Sequence, residues 1–376
     1  MKVLVFTNHY LPGYKAGGPI KSISNLCDEL KDKVNINVVT TNHDFNDSRP
    51  YSNINFDEPV SLNGYKVTYM SKVTLLRVKK QIEKISPDSI YLNSFFSKFT
   101  RLVLTLSYLG LINCKIILAP RGELSQGALS IKSRKKNTYI VFARFIKIIN
   151  ERVIFHATEE NERKEINQRF DNEVFVLPNI SSSLLPINKK NKVKGKLKIV
   201  FLSRISEKKN LNFALEVLNK LDSIDNDEVV FDIFGTQEDM SYWAVCESLM
   251  KKFKHIKVNY KGTVQPSEVH KTLESYHAFF LPTLGENYGH AIVEAMQAGV
   301  VPLISDKTPW NEIEELGIGR AINLNNTEEF KREIFRLTMM DNETFHECSN
   351  NVRDYISNKL ADSDIVNKYY SIFSSN

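Results

Sequence analysis

Short apolar runs alternate with amphipathic helical patterns along this chain, and the whole alternation occurs twice. The first series holds KVLVFT (2–7), a helical pattern carrying Ile20, Ile23, Leu26, Cys27 and Leu30, then INVVT (36–40), SIYLN (89–93), a buried helix over 102–112 and KIILAP (115–120). The second holds KIVFLSR (198–204), a helix over about 209–222 with Leu211, Leu215, Leu218 and Leu221, VVFDIFG (229–235) and IKVNYKG (256–262). It continues with a helix over 266–276, HAFFLPT (277–283), a helix over about 289–298 and VVPLIS (300–305). Strands separated by helices need crossover connections, which make parallel sheets. The pattern therefore predicts two α/β halves, and open parallel sheets bind ligands at the carboxyl ends of their strands. A cleft between the halves is the expected site.

Between the halves, EVFVLPN (173–179) runs into a stretch with lysines at 189, 190, 192, 194, 196 and 198, together with Pro186 and Gly195. Little there can pack, which reads as a linker over 181–197. The expected division is a first domain over 1–180, that linker, a second domain over 198–356, and a C-terminal helix over 357–376 that can pack back on the first domain. Helical segments are expected near 327–340 and 344–374, the latter interrupted around Ser357–Ser363.

A chain of 376 residues, 42% hydrophobic and 25% charged, is long enough for two cores and excludes a disordered or collagen-like chain. Cys27, Cys114, Cys246 and Cys348 share no ligand spacing, so neither a disulfide framework nor a zinc site is expected, and a cytoplasmic compartment fits. MKVLVFTNHY is too short in its apolar part for a secretory leader and reads as a first strand. The most apolar stretch, LVLTLSYLGLI, is too short to span a bilayer. Fifty basic against 44 acidic residues leave a net charge of +6, which admits nucleic acid, an anionic membrane surface or a phosphorylated small molecule as partner.

Three segments can carry chemistry. In PTLGENYGHAIVEAMQAG (282–299) a strand enters a loop with Glu286, Asn287, Tyr288 and Gly289, which opens a helix containing Glu294. Backbone N–H groups at such a helix start favour an anion, and the two carboxylates suit hydroxyls better than phosphate. An ordinary strand-to-helix turn with two exposed glutamates also fits. In SRISEKKN, Arg204 ends a strand and Lys208 and Lys209 start the next helix, where a guanidinium fork and an ammonium can neutralise a diphosphate; Lys208 fits a solvated turn better. In NHYLPGYKAGGP (8–19), Gly17 and Gly18 precede the first helix and permit close backbone approach to phosphate, although a plain loop suits them equally. No G-x-G-x-x-G is present and no acid follows INVVT, which disfavours a nicotinamide-binding domain.

In this order the three segments resemble the retaining glycosyltransferases of the GT-B fold, in particular family 4, with two Rossmann-like domains facing each other across a cleft. APRGEL (119–124), HATEENE (156–162), LPN (177–179) and TPW (308–310) look like segments of members that build bacterial surface polysaccharides. The resemblance implies that Arg204 and Lys209 hold the diphosphate of a nucleotide-sugar and that Glu286 binds hydroxyls of the transferred sugar. It further implies backbone N–H groups of Asn287, Tyr288 and Gly289 near the phosphates, Glu294 on the ribose, and Gly17–Gly18 approaching from the other domain. Catalysis would fall to Glu286, Arg204 and Lys209, without metal or other cofactor, and with retention at the sugar carbon. The acceptor would be a saccharide, often lipid-linked, in lipopolysaccharide O-antigen, capsule or exopolysaccharide synthesis.

One departure is visible. Many members place a His in a first-domain loop facing the donor sugar, whereas the corresponding place here reads Ala119-Pro120-Arg121-Gly122-Glu123. Arg121 and Glu123 are acceptor-side candidates, as is His156; a turn-stabilising pair and a structural His are the competing readings. The segment 131–152 concentrates Lys132, Arg134, Lys135, Lys136, Arg144, Lys147 and Arg152 against Glu151, interleaved with aromatic and branched residues. It fits a basic amphipathic helix on the inner face of the cytoplasmic membrane, or a solvated helix packed on its own domain. A nucleotide-sugar 2-epimerase of the same fold and a basic nucleic-acid-binding protein are the alternatives, the latter lacking any recognisable reading motif.

Overall fold

The computed structural model describes residues 1–130, 133–181, 185–187, 190–222, 228–361 and 364–374. Residues 131 and 132 of the basic segment, 182–184, 188 and 189 of the expected linker, and 362, 363, 375 and 376 of the expected C-terminal helix lie outside them. The chain divides into two compact units, Met1–Ser182 with Asp362–Asn376, and Ser183–Ala361.

The first unit holds β1 (Lys2–Phe6), β2 (Asn35–Thr41), β3 (Pro59–Leu62), β4 (Tyr65–Met70), β5 (Ser89–Asn93), β6 (Lys115–Ala119), β7 (Val153–Ala157) and β8 (Val174–Val176). They form one sheet in the order β3-β4-β2-β1-β5-β6-β7-β8, parallel except for the antiparallel pair β3–β4. Its helices are α1 (Gly18–Leu30), α2 (Leu75–Ile85), α3 (Lys98–Tyr108), α4 (Gln126–Ser130), α5 (Ser133–Phe145) and α6 (Glu160–Asn167). Because side chains alternate along a strand, β1 sends Leu4 and Phe6 into one core and Val3 and Val5 into the other, so both faces of the sheet are filled.

The hairpin β3–β4 and helix α2 are absent from the sequence reading, although Asn63-Gly64 between two alternating runs is a strong hairpin signal. Both turn residues have positive φ, at 48° and 95°.

The second unit holds β9 (Lys196–Leu202), α7 (Leu211–Asn219), β10 (Glu228–Phe234), α8 (Met240–Met250), β11 (Lys257–Gly262), α9 (Val269–Leu273), β12 (Ala278–Leu281), α10 (His290–Gln297), β13 (Val301–Ser305), α11 (Glu312–Glu315), β14 (Arg320–Ile322), α12 (Thr327–Met339) and α13 (Asn342–Leu360). The sheet is parallel in the order β11-β10-β9-β12-β13-β14, around one continuous core. Each half is thus a Rossmann-like α/β layer structure, as the alternation required. The last helix, α14 (Ile365–Ser374), belongs to the first unit and buries Tyr369, Ile372 and Phe373 in the core that contains Val3, Val5 and Tyr91.

Two lysines of the stretch read as a linker, Lys190 and Lys192, are buried. Lys192 is 2% exposed, and its ammonium donates to the carbonyls of Val193, Thr338 and Met340 at 3.0, 2.9 and 3.1 Å. Thr338 and Met340 sit at the C-terminus of α12, where unpaired carbonyls and the helix dipole favour a cation. Lys190 donates to the Ala298 carbonyl at 2.7 Å, and burial pushes its ammonium down to about 7. β9 already begins at Lys196, so these lysines are part of the second unit's fabric.

Candidate functional site

In the second unit the chain lays down β9, β10 and β11 outward on one side, then returns to place β12, β13 and β14 on the other. The strand order therefore reverses between β9 and β12, the place where open parallel sheets leave a crevice at their carboxyl ends. The loops leaving those two strands are the ones that carry Arg204 to Asn210 and Pro282 to Gly289.

They are stitched together. Asn210, held in the left-handed region at φ 59°, donates its side-chain amide to the Pro282 carbonyl at 2.9 Å. The Lys208 carbonyl accepts from the Thr283 hydroxyl at 2.9 Å and the Leu284 N–H at 2.8 Å. Across this seam the Lys209 ammonium pairs with the Glu286 carboxylate, with side chains 15% and 10% exposed. Lys209 lies in a 3-10 turn, Glu207–Lys209, and α7 starts only at Leu211, later than the leucine spacing predicted. The half-buried Lys208 is part of the seam and not the freely solvated turn residue expected.

Arg204 is on the same strand end but faces a partner the sequence reading missed. Its guanidinium pairs with Glu238 at 3.0 Å, in the loop between β10 and α8. That loop is fixed by the Ile205 N–H to the Thr236 carbonyl at 2.8 Å and the Glu238 N–H to the Ile205 carbonyl at 3.1 Å. Asp239 then caps α8 by accepting from Ser241 and Tyr242. The close approach depends on Gly235: at φ 151° a Cβ there would stand 1.7 Å from the Ser203 carbonyl oxygen. A strand-end loop reading GTQED beside the SRISEKKN loop was the available signal for Glu238.

The Glu286 loop is held from behind. The Glu286 N–H donates to the Lys307 carbonyl at 2.9 Å, and the buried Trp310 donates its indole N–H to the Tyr288 carbonyl at 2.6 Å, which gives the TPW segment a physical role. Gly289, at φ 78°, is the N-cap of α10, so Asn287, Tyr288 and Gly289 lead directly into a helix start. Glu294 is half-buried on that helix. The structure thus brings Lys209 and Glu286 into contact, sets Arg204 on the same loop as Lys209, and places Asn287–Gly289 and Glu294 on the element that follows Glu286.

The first unit has its own strand-order reversal, between β1 and β5. The loop after β1 carries Gly17, the N-cap of α1 at φ 69°, and Gly18, the first residue of that helix. Among the described residues beyond its own chain neighbours, nothing lies within 4 Å of where a Gly17 Cβ would be. Asp44 is buried and anchors this loop by accepting from the N–H groups of Tyr14 and Lys15 at 2.8 and 3.1 Å.

Arg121, itself at φ 59°, sits beyond β6 and donates to Asn93 at 2.8 and 3.1 Å and to the Tyr91 hydroxyl at 2.9 Å, with a further bond to Asn179 of the LPN segment. Glu123 accepts from the Ser94 hydroxyl at 2.8 Å and the Phe96 N–H at 3.0 Å, and burial pushes its carboxyl up. Glu162, which accepts from the Gly122 N–H at 2.6 Å and from Thr158, completes the turn and was not singled out from sequence. His156 is 1% exposed between the Tyr91 hydroxyl at 2.7 Å and the Leu177 carbonyl at 2.9 Å; burial, reinforced by Arg121, pushes it down to about 3. It is a neutral core histidine with both ring nitrogens engaged. A cavity of about 330 Å³ in this unit, lined by Leu11, Pro12, Ile54, Val60 and Tyr69 among others, holds none of these candidates. Among the described residues no group of three or more His, Cys, Asp or Glu could hold a metal ion, and no described helix is long and apolar enough to cross a membrane.

Comparison with known proteins bears on the same region. Residues 186–355, most of the second unit, match the family described as glycosyl transferases group 1. An uncharacterised 41.2 kDa protein in the cps region of Klebsiella pneumoniae is 24% identical over 330 residues, covering 84% of this chain and 86% of its own. Among solved structures, sucrose-phosphate synthase from Thermosynechococcus elongatus superposes with a TM-score of 0.77 at 12% identity. HepE of Anabaena, in complex with UDP-glucose, superposes with a TM-score of 0.73 at 14%. Both cover all of each chain. These structural likenesses establish the fold.

Proposed function

We propose that this chain, a glycosyltransferase of group 1 and of the GT-B fold, takes a sugar from a nucleotide-diphosphate donor and places it on a saccharide acceptor during synthesis of a bacterial surface polysaccharide. The observation that carries the reading is the Lys209–Glu286 pair at the strand-order reversal of the second unit, with Arg204 on the same loop and the start of α10 just beyond. A diphosphate competes with Glu286 for Lys209 and with Glu238 for Arg204, because a group of higher negative charge makes stronger charge-assisted bonds with both cations. Glu286, released from Lys209, accepts hydrogen bonds from hydroxyls of the transferred sugar. Glu294 takes the ribose hydroxyls.

As the bond from the sugar carbon to the phosphate oxygen breaks, negative charge builds on the diphosphate. Arg204, Lys209 and the positive end of α10 are fixed where that charge develops, so they favour the transition state over the bound donor. The acceptor oxygen bonds to the same carbon from the face the diphosphate leaves, and its proton passes to the departing phosphate. Configuration is retained. The Klebsiella relative in a cps region supports a capsule-type product, and HepE with UDP-glucose supports a nucleotide-sugar donor. A lipid-linked acceptor at the inner face of the cytoplasmic membrane completes the reading.

A melting panel of UDP-, GDP- and ADP-sugars tests it. At a hundredfold excess over Kd, binding contributes about 2.7 kcal/mol, or a rise of roughly 5–10 °C for a unit this size. One base class should produce that rise, and Lys209→Ala should remove it. No shift with any of the three would refute the donor assignment.

A further inference from the structure

Helix α5 runs from Ser133 to Phe145, and at 100° per residue Thr138, Val141, Phe142 and Phe145 fall on one flank. The opposite flank is spent on the core: Ile140 and Ala143 are buried, with Tyr139 and Ile146 packed beside them. Among the described residues the outward flank has no such partner. Val141, Phe142 and Phe145 are 67%, 56% and 85% exposed, a large apolar surface for one short helix to leave in water.

The cations around it are arranged selectively. Lys136 turns inward, donating to the Ala128 carbonyl at 2.6 Å and lying over the Phe96 ring. Arg134, Arg144 and Lys147 are exposed, and Glu151 is the one acid between positions 133 and 152. The apolar surface has a neighbour in the topology as well. β6 and β7 are adjacent and parallel, so the turn that feeds β6 and the turn that feeds β7 reach the same edge of the sheet. The first carries Tyr108, Leu109 and Leu111, each about half exposed, and the second follows Phe145; the Asn150 amide joins the two by donating to the Ser107 hydroxyl at 3.3 Å.

We infer that the outward face of α5 is a docking surface for an anionic lipid bilayer, with Phe142 and Phe145 entering the interface and Arg134, Arg144 and Lys147 meeting the headgroups. Exposed aromatics flanked by exposed cations, with almost no acid, match a surface that is apolar within and negative at its boundary. A nucleic acid would use the cations and leave the apolar flank in water. The inference deepens the proposed function and rests on it for its purpose, since a lipid-linked acceptor would lie on the same surface; its test reads binding and not turnover.

The test is co-sedimentation of the full chain with phosphatidylcholine vesicles with and without phosphatidylglycerol, at low and high salt. Binding should require phosphatidylglycerol and weaken with salt. Arg144→Gln with Lys147→Gln should reduce partitioning by about fivefold per cation removed, and Phe142→Ser with Phe145→Ser by about tenfold or more. All four side chains are exposed, so the melting temperature should hold and serves as the control for folding. No binding of the parent chain, equal binding to both vesicle types, or unchanged partitioning of both variants would overturn the inference. A dimer that Phe145→Ser dissolves, in a chain that ignores vesicles, would assign the face to a second copy instead. Vesicle binding without any donor-induced shift would leave this inference standing and remove the proposed function.

Discussion

Replacing Lys209 by Ala separates what the Lys209–Glu286 pair does for the fold from what it does for chemistry. With only 15% and 10% of the two side chains exposed, removing the ammonium leaves the Glu286 carboxylate in a largely dry loop without an opposite charge. Breaking a buried pair in this way costs about 3–5 kcal/mol, and the residual exposure here places the expected cost near the lower end, about 3 kcal/mol. For a unit the size of Ser183–Ala361 this lowers the melting temperature by roughly 6–12 °C. Replacing both partners, as Lys209→Met with Glu286→Gln, leaves no uncompensated charge and should return the melting temperature to within a few degrees of the parent chain. Turnover should not return with it. Both variants lack the ammonium proposed to oppose the growing diphosphate charge, worth about 2.7–4 kcal/mol, or 10²- to 10³-fold in rate. Glu286→Ala alone should lower turnover by about 10²-fold or more if it makes the proposed sugar contact. The assays are thermal melting and sugar transfer on the same preparations. A Lys209→Ala chain that melts and turns over like the parent would refute both arguments, and recovery of turnover in the double replacement would make the pair a purely structural clasp.

Glu294→Gln should weaken donor binding while leaving kcat nearly unchanged, measured as a rise in KM or in the nucleotide-sugar Kd; an unaltered donor affinity would make Glu294 an ordinary helix residue. Gly235→Ala puts a methyl where the Ser203 carbonyl lies, 1.7 Å away, and should cost about 3 kcal/mol or more, read as a fall in the urea midpoint of the second unit. A midpoint unchanged by that substitution would show that the loop yields freely. His156, held near 3 when folded and near 6.5 when unfolded, binds fewer protons in the native state throughout that interval, so the stability of the first unit should fall as pH drops below about 6.5. The slope approaches about 1.4 kcal/mol per pH unit, and His156→Gln should flatten it in denaturation curves taken across that range; an equal slope in the variant would place the proton uptake elsewhere.

The parts of the fold that were legible in the sequence are those dictated by short-range pattern. Apolar runs such as KIVFLS and HAFFL mark strands because both faces of a parallel sheet are buried, and each strand end can be located within a residue or two. Arg204, Lys209 and Glu286 stand out that way as candidates, chemically unusual groups just past such ends. What no local pattern contains is strand order. Lys209 and Glu286 meet across 77 positions only because β9 and β12 become neighbours while β10 and β11 are laid down on the far side. Had the strands been placed in chain order, the same residues would sit two strands further apart and no pair would form.

The same logic explains the lysines near the start of β9. Composition makes them a linker, because six cations with a proline and a glycine bury little by themselves. Lys192 is buried because the last carbonyls of α12 need a donor, and nothing near it in the sequence announces a helix terminus 146 positions later. Glu238 was missed for a related reason: a carboxylate in GTQED is unremarkable until Gly235 lets its loop touch the Ser203 carbonyl and bring it to Arg204. Those two cations, each held by a carboxylate before any donor arrives, are pre-positioned at no cost in unpaired buried charge. The proposed site can therefore be built ahead of its ligand, with the diphosphate exchanging for Glu286 and Glu238 instead of having to organise Lys209 and Arg204 from a solvated loop.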